Sequence, residues 1–434
     1  MPVNHPAQSR LGAYRRALSS RDFRLLWLGS SLSLVGDGMT FVALTWLVLS
    51  KPGGTAQLGL LAICYTLPVF VGGLIAGPVL DRFDKRYVLA VDSVVRGAAM
   101  ASIPIVSAVG EVPTVLPFVV AGVYGLFKMV PLAGFPSAIP DLVEPEDLDA
   151  ANAMESLAFS LAGMAGPAVG GLLIAGLGSE AVLAFDALSY AVFAITALAV
   201  RRPLSPTPVR PLKRIATRTP VAATTPSPST SAKDRDARHR VAVLLRDRAL
   251  VTTTLAFMAF NIAAGMLLVV GPWLAKTQLT GGAQTLGVLL AALSAGELAG
   301  AAAAGAWTPR SRPVRAIAMV QLVAATGFLF VLASPHTIGV AAGFLVIGLF
   351  SAPMTVWAQS LRMARIPAPL RGRGFSILRT LMQATPPIGA ALVTPLLGSG
   401  RLGMAAVAMA LIAALPAVLV LAVPSWEGRV HVAA

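Results

Sequence analysis

Apolar runs of about twenty residues recur along this chain, separated by short segments that carry charges, glycine or proline. At 1.5 Å per residue, one such run spans the roughly 30 Å hydrocarbon core of a bilayer as a helix. Inside that core only helices and closed barrels satisfy every backbone polar group. Composition agrees. Of 434 residues, 56% are hydrophobic and only 12% are charged, against about 25% charged in a soluble domain. The runs predict helices over 24–49, 58–80, 87–109, 115–138, 154–177 and 181–200. After a break, more are predicted over 249–272, 284–308, 316–333, 338–360, 374–397 and 403–424. Twelve crossings place both termini on one side.

The charges choose that side. Of the 34 Lys and Arg, 29 fall in segments that share the N-terminus's side, and only Lys51, Lys276 and Arg401 fall opposite. The positive-inside rule then puts both termini in the cytoplasm. The net charge of +15 follows this topology, so it is no nucleic-acid footprint, although a basic domain can be one. The single cysteine, Cys64, excludes an internal disulfide. No small-residue cleavage site follows a short apolar region, so the first helix is expected to be retained.

Residues 201–245 break the apolar pattern with seven prolines between Pro203 and Pro228, among Ser, Thr, Arg and Lys. Such a stretch buries too little surface to offset its ordering entropy, and disorder is expected. It divides an N-terminal arm (1–23) and six helices (24–200) from six more (246–424) and a tail (425–434). "RDFRL" at 21–25 is echoed by "RDRAL" at 246–250. A faint six-helix repeat of this kind is the trace of a transporter built from two parallel halves, with its substrate site between them near the midplane.

"GPVLDRFDKR", Gly77 to Arg86, follows the second helix, and "GPAVGG", Gly166 to Gly171, lies in the fifth. The first resembles the loop motif of the major facilitator superfamily: Gly77, Asp81, Arg82, Lys85 and Arg86 match, while Asp84 replaces a glycine. The second, through Gly166, Pro167, Gly170 and Gly171, resembles the signature of that family's drug–proton antiporters. "PDLVEPEDLDAANA" (140–153), "FDALSY" (185–190) and "PLRGRGFS" (369–376) are similar to the branch that holds macrolide-efflux and enterobactin-exporter proteins. Departures are Lys128, where the antiporter motif of the fourth helix has arginine, and "TPRSRP", a reduced second copy of the loop motif.

Physical chemistry suggests what these motifs do. Gly77 would let two helices approach closely. Asp81 would meet a helix N-terminus, where free N–H groups and the dipole favour an anion. The resemblance implies that the partner is the eleventh helix, near Gly374, and that the contact locks a cytoplasmic gate. Gly166–Pro167 and Gly170–Gly171 would permit a kink and close packing against the other half.

Asp37 lies near the middle of the first helix, where a carboxylate costs about 2.5–3.5 kcal/mol. Ser30, Ser33, Asp37 and Thr40 form one polar stripe, expected to line a wet cavity. The superfamily pattern implies the same, since its first, fourth, seventh and tenth helices surround the path. Apolar surroundings favour the protonated form of a carboxyl group, as a proton carrier requires. Lys128 is the expected partner of Asp37, and Glu297 is a second coupling candidate. No histidine competes: His5, His239, His336 and His431 fall in tails, linker or loop. Asp92 and Arg96, four apart, are expected to pair with each other or with the 81–86 loop, and Asp186 to anchor structure. Asn261, Trp357, Gln359 and Gln383 are candidates for substrate contact or for plain helix anchoring.

No metal-ligand spacing and no Gly-x-Ser-x-Gly is present, and "GPWLAKT" (271–277) has Ala275 where a phosphate loop needs glycine. An enzyme or an ATP-driven pump is therefore not expected, nor a cofactor. The expectation is a monomeric, all-α integral membrane protein of the inner cell membrane. It would export a small lipophilic or amphipathic molecule by alternating access, in exchange for protons. The alternatives are uptake or facilitated diffusion on the same fold, or a non-transporting receptor or scaffold.

Overall fold

The computed structural model describes residues 7–51, 53–204, 247–307, 309, 312–366, 378, 381–382 and 384–422. The linker other than residues 201–204, Gly374, Gln383 and the 425–434 tail lie outside them. Fourteen α-helices are named in chain order. A short helix α1 (Ala7–Ser19) precedes α2 (Arg21–Ser50), α3 (Gly54–Arg82) and α4 (Lys85–Val109). The fourth crossing is α5 (Leu116–Phe127) plus α6 (Met129–Leu142), followed by α7 (Leu148–Leu177) and α8 (Ser179–Leu198). The second half holds α9 (Arg248–Thr277), α10 (Gly282–Ala306), α11 (Pro313–Gly327), α12 (Thr337–Arg365), α13 (Pro386–Gly398) and α14 (Leu402–Ala422). Among the described residues eleven segments are long and apolar enough to cross a membrane, and Pro386–Gly398 is a shorter apolar helix.

Where boundaries differ from those expected, caps and prolines explain it. Ser20 accepts from Phe23 N at 3.4 Å, so α2 starts at Arg21. Asp84, the residue standing where the loop motif has glycine, caps α4 by accepting from Arg86 N at 2.9 Å. The fourth crossing, expected as one helix, breaks at Lys128. Pro131 is the cause: it has no N–H for the Phe127 carbonyl, and its ring crowds that turn. Helix α1 is an addition to the expected set, and Arg16 anchors it to Asp147 at 2.7 Å.

Asp22 is buried at the start of α2 and accepts from the backbone N–H groups of Arg201 and Arg202, at 3.2 and 3.0 Å. That ties the first crossing to the end of the sixth. Within the first half α8 packs on α2 and α4, and α7 packs on α2. In the second half α12 packs on α10 and α11, and α13 on α9. The halves meet through α7 against α10 and α3 against α13, two crossings that correspond under the six-helix repeat.

These junctions are tightest at the end opposite the basic loops. There Lys276 Nζ donates to the Leu49 carbonyl, and the Trp46 ring lies against Gly282. Core clusters at that end mix residues of both halves. Toward the basic end the described core residues separate by half: one cluster draws on the first half alone, and the second half packs at Ala249, Val314 and Leu361.

Small residues set these contacts, though not at every motif position. A Cβ at Gly265 would overlap the backbone of Pro386, whereas a Cβ at Gly77 would meet no described residue within 4 Å. The partner expected for the close approach at Gly77, near Gly374, lies outside the described residues. Gly265→Val should lower stability by about 1–3 kcal/mol through overpacking. Gly77→Val should melt no lower than the parent protein. Thermal unfolding of the two purified variants checks the contrast.

Candidate functional site

The polar stripe of α2 turns inward, not toward a cavity. Ser30, Ser33 and Thr40 are all buried. Gly29 and Gly36 let α8 lie directly on this face: side chains there would overlap Thr196, and Asp186 with Ser189. Thr40 donates to Asp186 Oδ2, and Ser189 donates to Asp186 Oδ1 at 3.1 Å. The expectation that the stripe lines a wet path is therefore overturned for Ser33 and Thr40, because glycine spacing rotates that face onto α8.

Asp37 sits at the edge of this packed seam, and its partner is not Lys128. Arg96 Nη1 reaches its two oxygens at 3.2 and 3.4 Å, and Tyr190 donates its phenolic hydroxyl to Oδ1. The same guanidinium holds Asp92 Oδ2 through Nε at 3.0 Å and Nη2 at 2.6 Å, one turn back on α4. Its face lies 4.4 Å from the centre of the Tyr190 ring. Arg96 is thus the hub between α2, α4 and α8, which explains how a fully buried guanidinium is tolerated. Side-chain exposure ranks the acids: Asp37 keeps 15%, Asp92 1%, and Asp186 is fully buried. Only Asp37 reaches the surface.

Lys128 stands apart from this ion pair. At the helix break, its Nζ lies 5.4 Å from the Tyr65 ring centre and 5.7 Å from that of Tyr124, and the two rings stack at 4.7 Å. Aromatic faces stabilise a cation without a carboxylate contact.

The antiporter-like segment of α7 works on two faces. A Cβ at Gly166 would come within 2.8 Å of Gly38 Cα, and one at Gly170 within 2.9 Å of Met39 Cα, so this face packs on α2. The other face crosses to the second half, where a Cβ at Gly171 would lie 2.5 Å from the Ala283 carbonyl. Pro167 has no N–H for the Gly163 carbonyl. Ser294 of α10 donates to that oxygen instead, at 2.8 Å. The proline therefore frees an acceptor that stitches the halves together.

Beside this stitch, α7, α10 and α12 enclose a cavity of about 360 Å³ lined by Ser160, Ser294, Glu297, Ser351 and Thr355 among apolar neighbours. Glu297 is exposed there, with no hydrogen bond or ion pair among the described residues. The other candidates are scattered. Asn261 Nδ2 donates to the Met382 carbonyl at 3.0 Å, Trp357 Nε1 to the Trp307 carbonyl at 3.2 Å, and Gln359 is exposed. Gln383 lies outside the described residues.

The loop motif braces its own half. Lys85 pairs with Asp141 at 3.6 Å. Arg86 pairs with Asp84 at 2.7 Å and donates to the Val200 carbonyl at 3.1 Å. Partial burial pushes the Asp84 carboxyl up, and the hydrogen bonds from Arg86 outweigh it, holding the group below its ordinary range. Arg82 and Asp81 are exposed, and the partner expected for Asp81 near Gly374 lies outside the described residues. Among the described residues Lys85 and Arg86 thus bind the fourth and sixth crossings, and the inter-half partner expected for the gate lies outside them.

Comparison with known proteins adds a family. The model of the Major Facilitator Superfamily matches residues 26–390. The multidrug efflux pump Tap of Mycobacterium tuberculosis is 31% identical over 181 residues, 40% of this chain and 43% of that protein. Macrolide efflux protein A of Streptococcus pyogenes is 24% identical over 181 residues, 42% of this chain and 45% of that protein. The chain thus spans less than half the length of these two relatives. An uncharacterised MFS-type transporter, y4rN of Sinorhizobium fredii, is 26% identical over 85% of this chain and 86% of its own. Among solved structures, a peptide transporter POT in complex with sulfate superposes with a TM-score of 0.70 at 16% identity, covering 94% of this chain and 95% of that one.

The α7–α10 crossing yields a direct test. In Gly171→Ala the new methyl group must displace the backbone of Ala283, which should part the halves at the end opposite the basic loops. Spin labels at positions 111 and 278, in a Cys64→Ala background, should report a longer distance than in the parent. An unchanged distance distribution would show that the crossing absorbs the methyl locally.

Proposed function

The chain belongs to the major facilitator superfamily, and we propose that it exports small lipophilic or amphipathic molecules across the inner cell membrane in exchange for protons. The observation that carries this reading is the Asp37–Arg96–Asp92 cluster, with Asp37 alone keeping access to the surface. Charges inside a membrane span are expensive and mark ion or proton pathways. A purely structural bundle would be served as well or better by apolar packing.

Under the orientation that the basic loops favour, with both termini cytoplasmic, the tight junctions lie on the outer side. The structure would then be the state open to the cytoplasm, from which an exporter loads. The cavity beside Glu297 combines one carboxylate, several hydroxyls and apolar walls, a lining suited to an amphipathic molecule with a cationic or hydrogen-bonding group. Efflux proteins among the relatives support the direction, as does the antiporter-like α7. Asp37 and Glu297 would couple protons and substrate, Lys128 would tune the field near Asp37, and Asp81 would hold the cytoplasmic gate when the cavity turns outward.

Proteoliposomes with an imposed pH gradient test this. Asp37→Asn keeps the size and hydrogen bonding of the side chain but removes its titration. It should abolish accumulation of a lipophilic cation against its gradient while leaving downhill exchange. Full coupled accumulation in Asp37→Asn would remove Asp37 from the mechanism. Asp81→Asn should reduce turnover strongly with insertion and ligand affinity retained, and normal turnover would sink the gate role.

A further inference from the structure

We propose that the proton of the transport cycle is stored on Asp186, in the sixth crossing, and that Asp37 is its entry and exit point. This rests on the proton-antiport reading above and assigns the group that carries the charge.

The argument begins with the partners of each acid. Arg96 is a donor only and is always charged. Asp37 and Asp92, which it holds directly, would each leave a guanidinium N–H without its anion if protonated. Among the described residues Asp186 makes no ion pair and no hydrogen bond to a cation. Its oxygens face the hydroxyls of Thr40 and Ser189, and a hydroxyl can donate or accept. When Asp186 is ionised Thr40 donates to it, and Ser189, 2.8 Å from the Asp186 carbonyl and 3.1 Å from Oδ1, can turn its hydroxyl to either. When it is protonated its O–H donates to Thr40, whose own hydrogen can turn to the helix carbonyl one turn back. Only this acid has surroundings satisfied in both states.

Charge balance agrees. The titratable and charged groups that face Asp186 are Asp37 from α2, Tyr65 from α3 and Arg96 from α4, which in turn holds Asp92. Tyr190 lies one turn along α8 itself, while Tyr124 and Lys128 of the fourth crossing face Asp37 instead. The acids of α7, Asp149 and Glu155, sit near that helix's start at the basic end. Ionised Asp37 and Asp92 already outnumber Arg96 in the cluster, so an ionised Asp186 would add a further, fully buried negative charge. A proton on Asp186 neutralises it. Gly36 brings Asp186 against the backbone next to Asp37, so close that any side chain at position 36 would overlap it. Loading adds a proton to an Asp186 oxygen. Release breaks that O–H bond and returns the proton to a carboxylate oxygen of Asp37, the one acid of the three in contact with the surface.

Infrared difference spectra between neutral and alkaline pH read the protonated carboxyl directly, on full-length protein in lipid nanodiscs without any substrate. The wild type should show the band of one protonated carboxylic acid. Asp186→Asn should lack it, whereas Asp37→Asn and Asp92→Asn should keep it. A band that persists in Asp186→Asn, or that vanishes in either of the others, overturns the assignment. Should Asp186→Asn fail to fold, Thr40→Val removes the hydroxyl from Asp186 Oδ2 and must shift the band's frequency or titration midpoint, and no shift likewise overturns it. In proteoliposomes Asp186→Asn should bring the accumulation ratio of a lipophilic cation down to one. If the wild type itself accumulates that cation equally with and without a pH gradient, the antiport reading has failed, whichever acid the spectra identify.

Discussion

A guanidinium with no exposed surface, set in a bundle that lipid surrounds, has to bring its counter-charges with it. Arg96 does so with Asp92 on its own helix and Asp37 across the seam. Much of the first half follows from that requirement. α8 must come close enough for Tyr190 to close the cluster, which demands the glycines of α2. α2 must present Asp37 to α4, which turns Ser33 and Thr40 toward α8. Most polar atoms of the cluster then satisfy one another, Asp92 Oδ1 excepted, and the bundle is held by directional contacts as well as by packing.

The same economy governs the junction between halves. Helices in lipid gain little from burying apolar surface against each other, so close backbone approach and interhelical hydrogen bonds carry more of the association. Pro167 opens the Gly163 carbonyl, Ser294 occupies it, and Gly171 passes Ala283 at backbone distance. A junction made of a few close contacts can be broken and re-formed as a unit, as alternating access needs. A broad interlocked apolar face could not part so readily.

The fold was legible because hydropathy reports length and location in the membrane, and the structure follows the expected crossings. Helix rotation was harder to read. Lys128 was the expected partner of Asp37 and Arg96 that of Asp92 or the 81–86 loop, and the outcome depended on which face of α2 meets α8. Gly29 and Gly36, seven residues apart, carried that information, as did the i to i+4 pairs Asp92–Arg96 and Asp186–Tyr190. Pro131 marked the break at Lys128 in the same way. The contact between α7 and α10 was foreseen in kind from Gly166 to Gly171, but its acceptor, a carbonyl freed by proline, belongs to a residue no motif singles out.

The pairing at Arg96 is open to one decisive measurement, the coupling energy of Asp37 with each of its two candidate cations. Stability of the purified protein is compared in two double-mutant cycles, Asp37→Asn with Arg96→Gln and Asp37→Asn with Lys128→Gln. Residues in direct contact show couplings of about 0.5–3 kcal/mol, while separated ones add. A coupling in that range with Arg96, and near-additive effects with Lys128, is the predicted result. Strong coupling with Lys128 and additivity with Arg96 would contradict it.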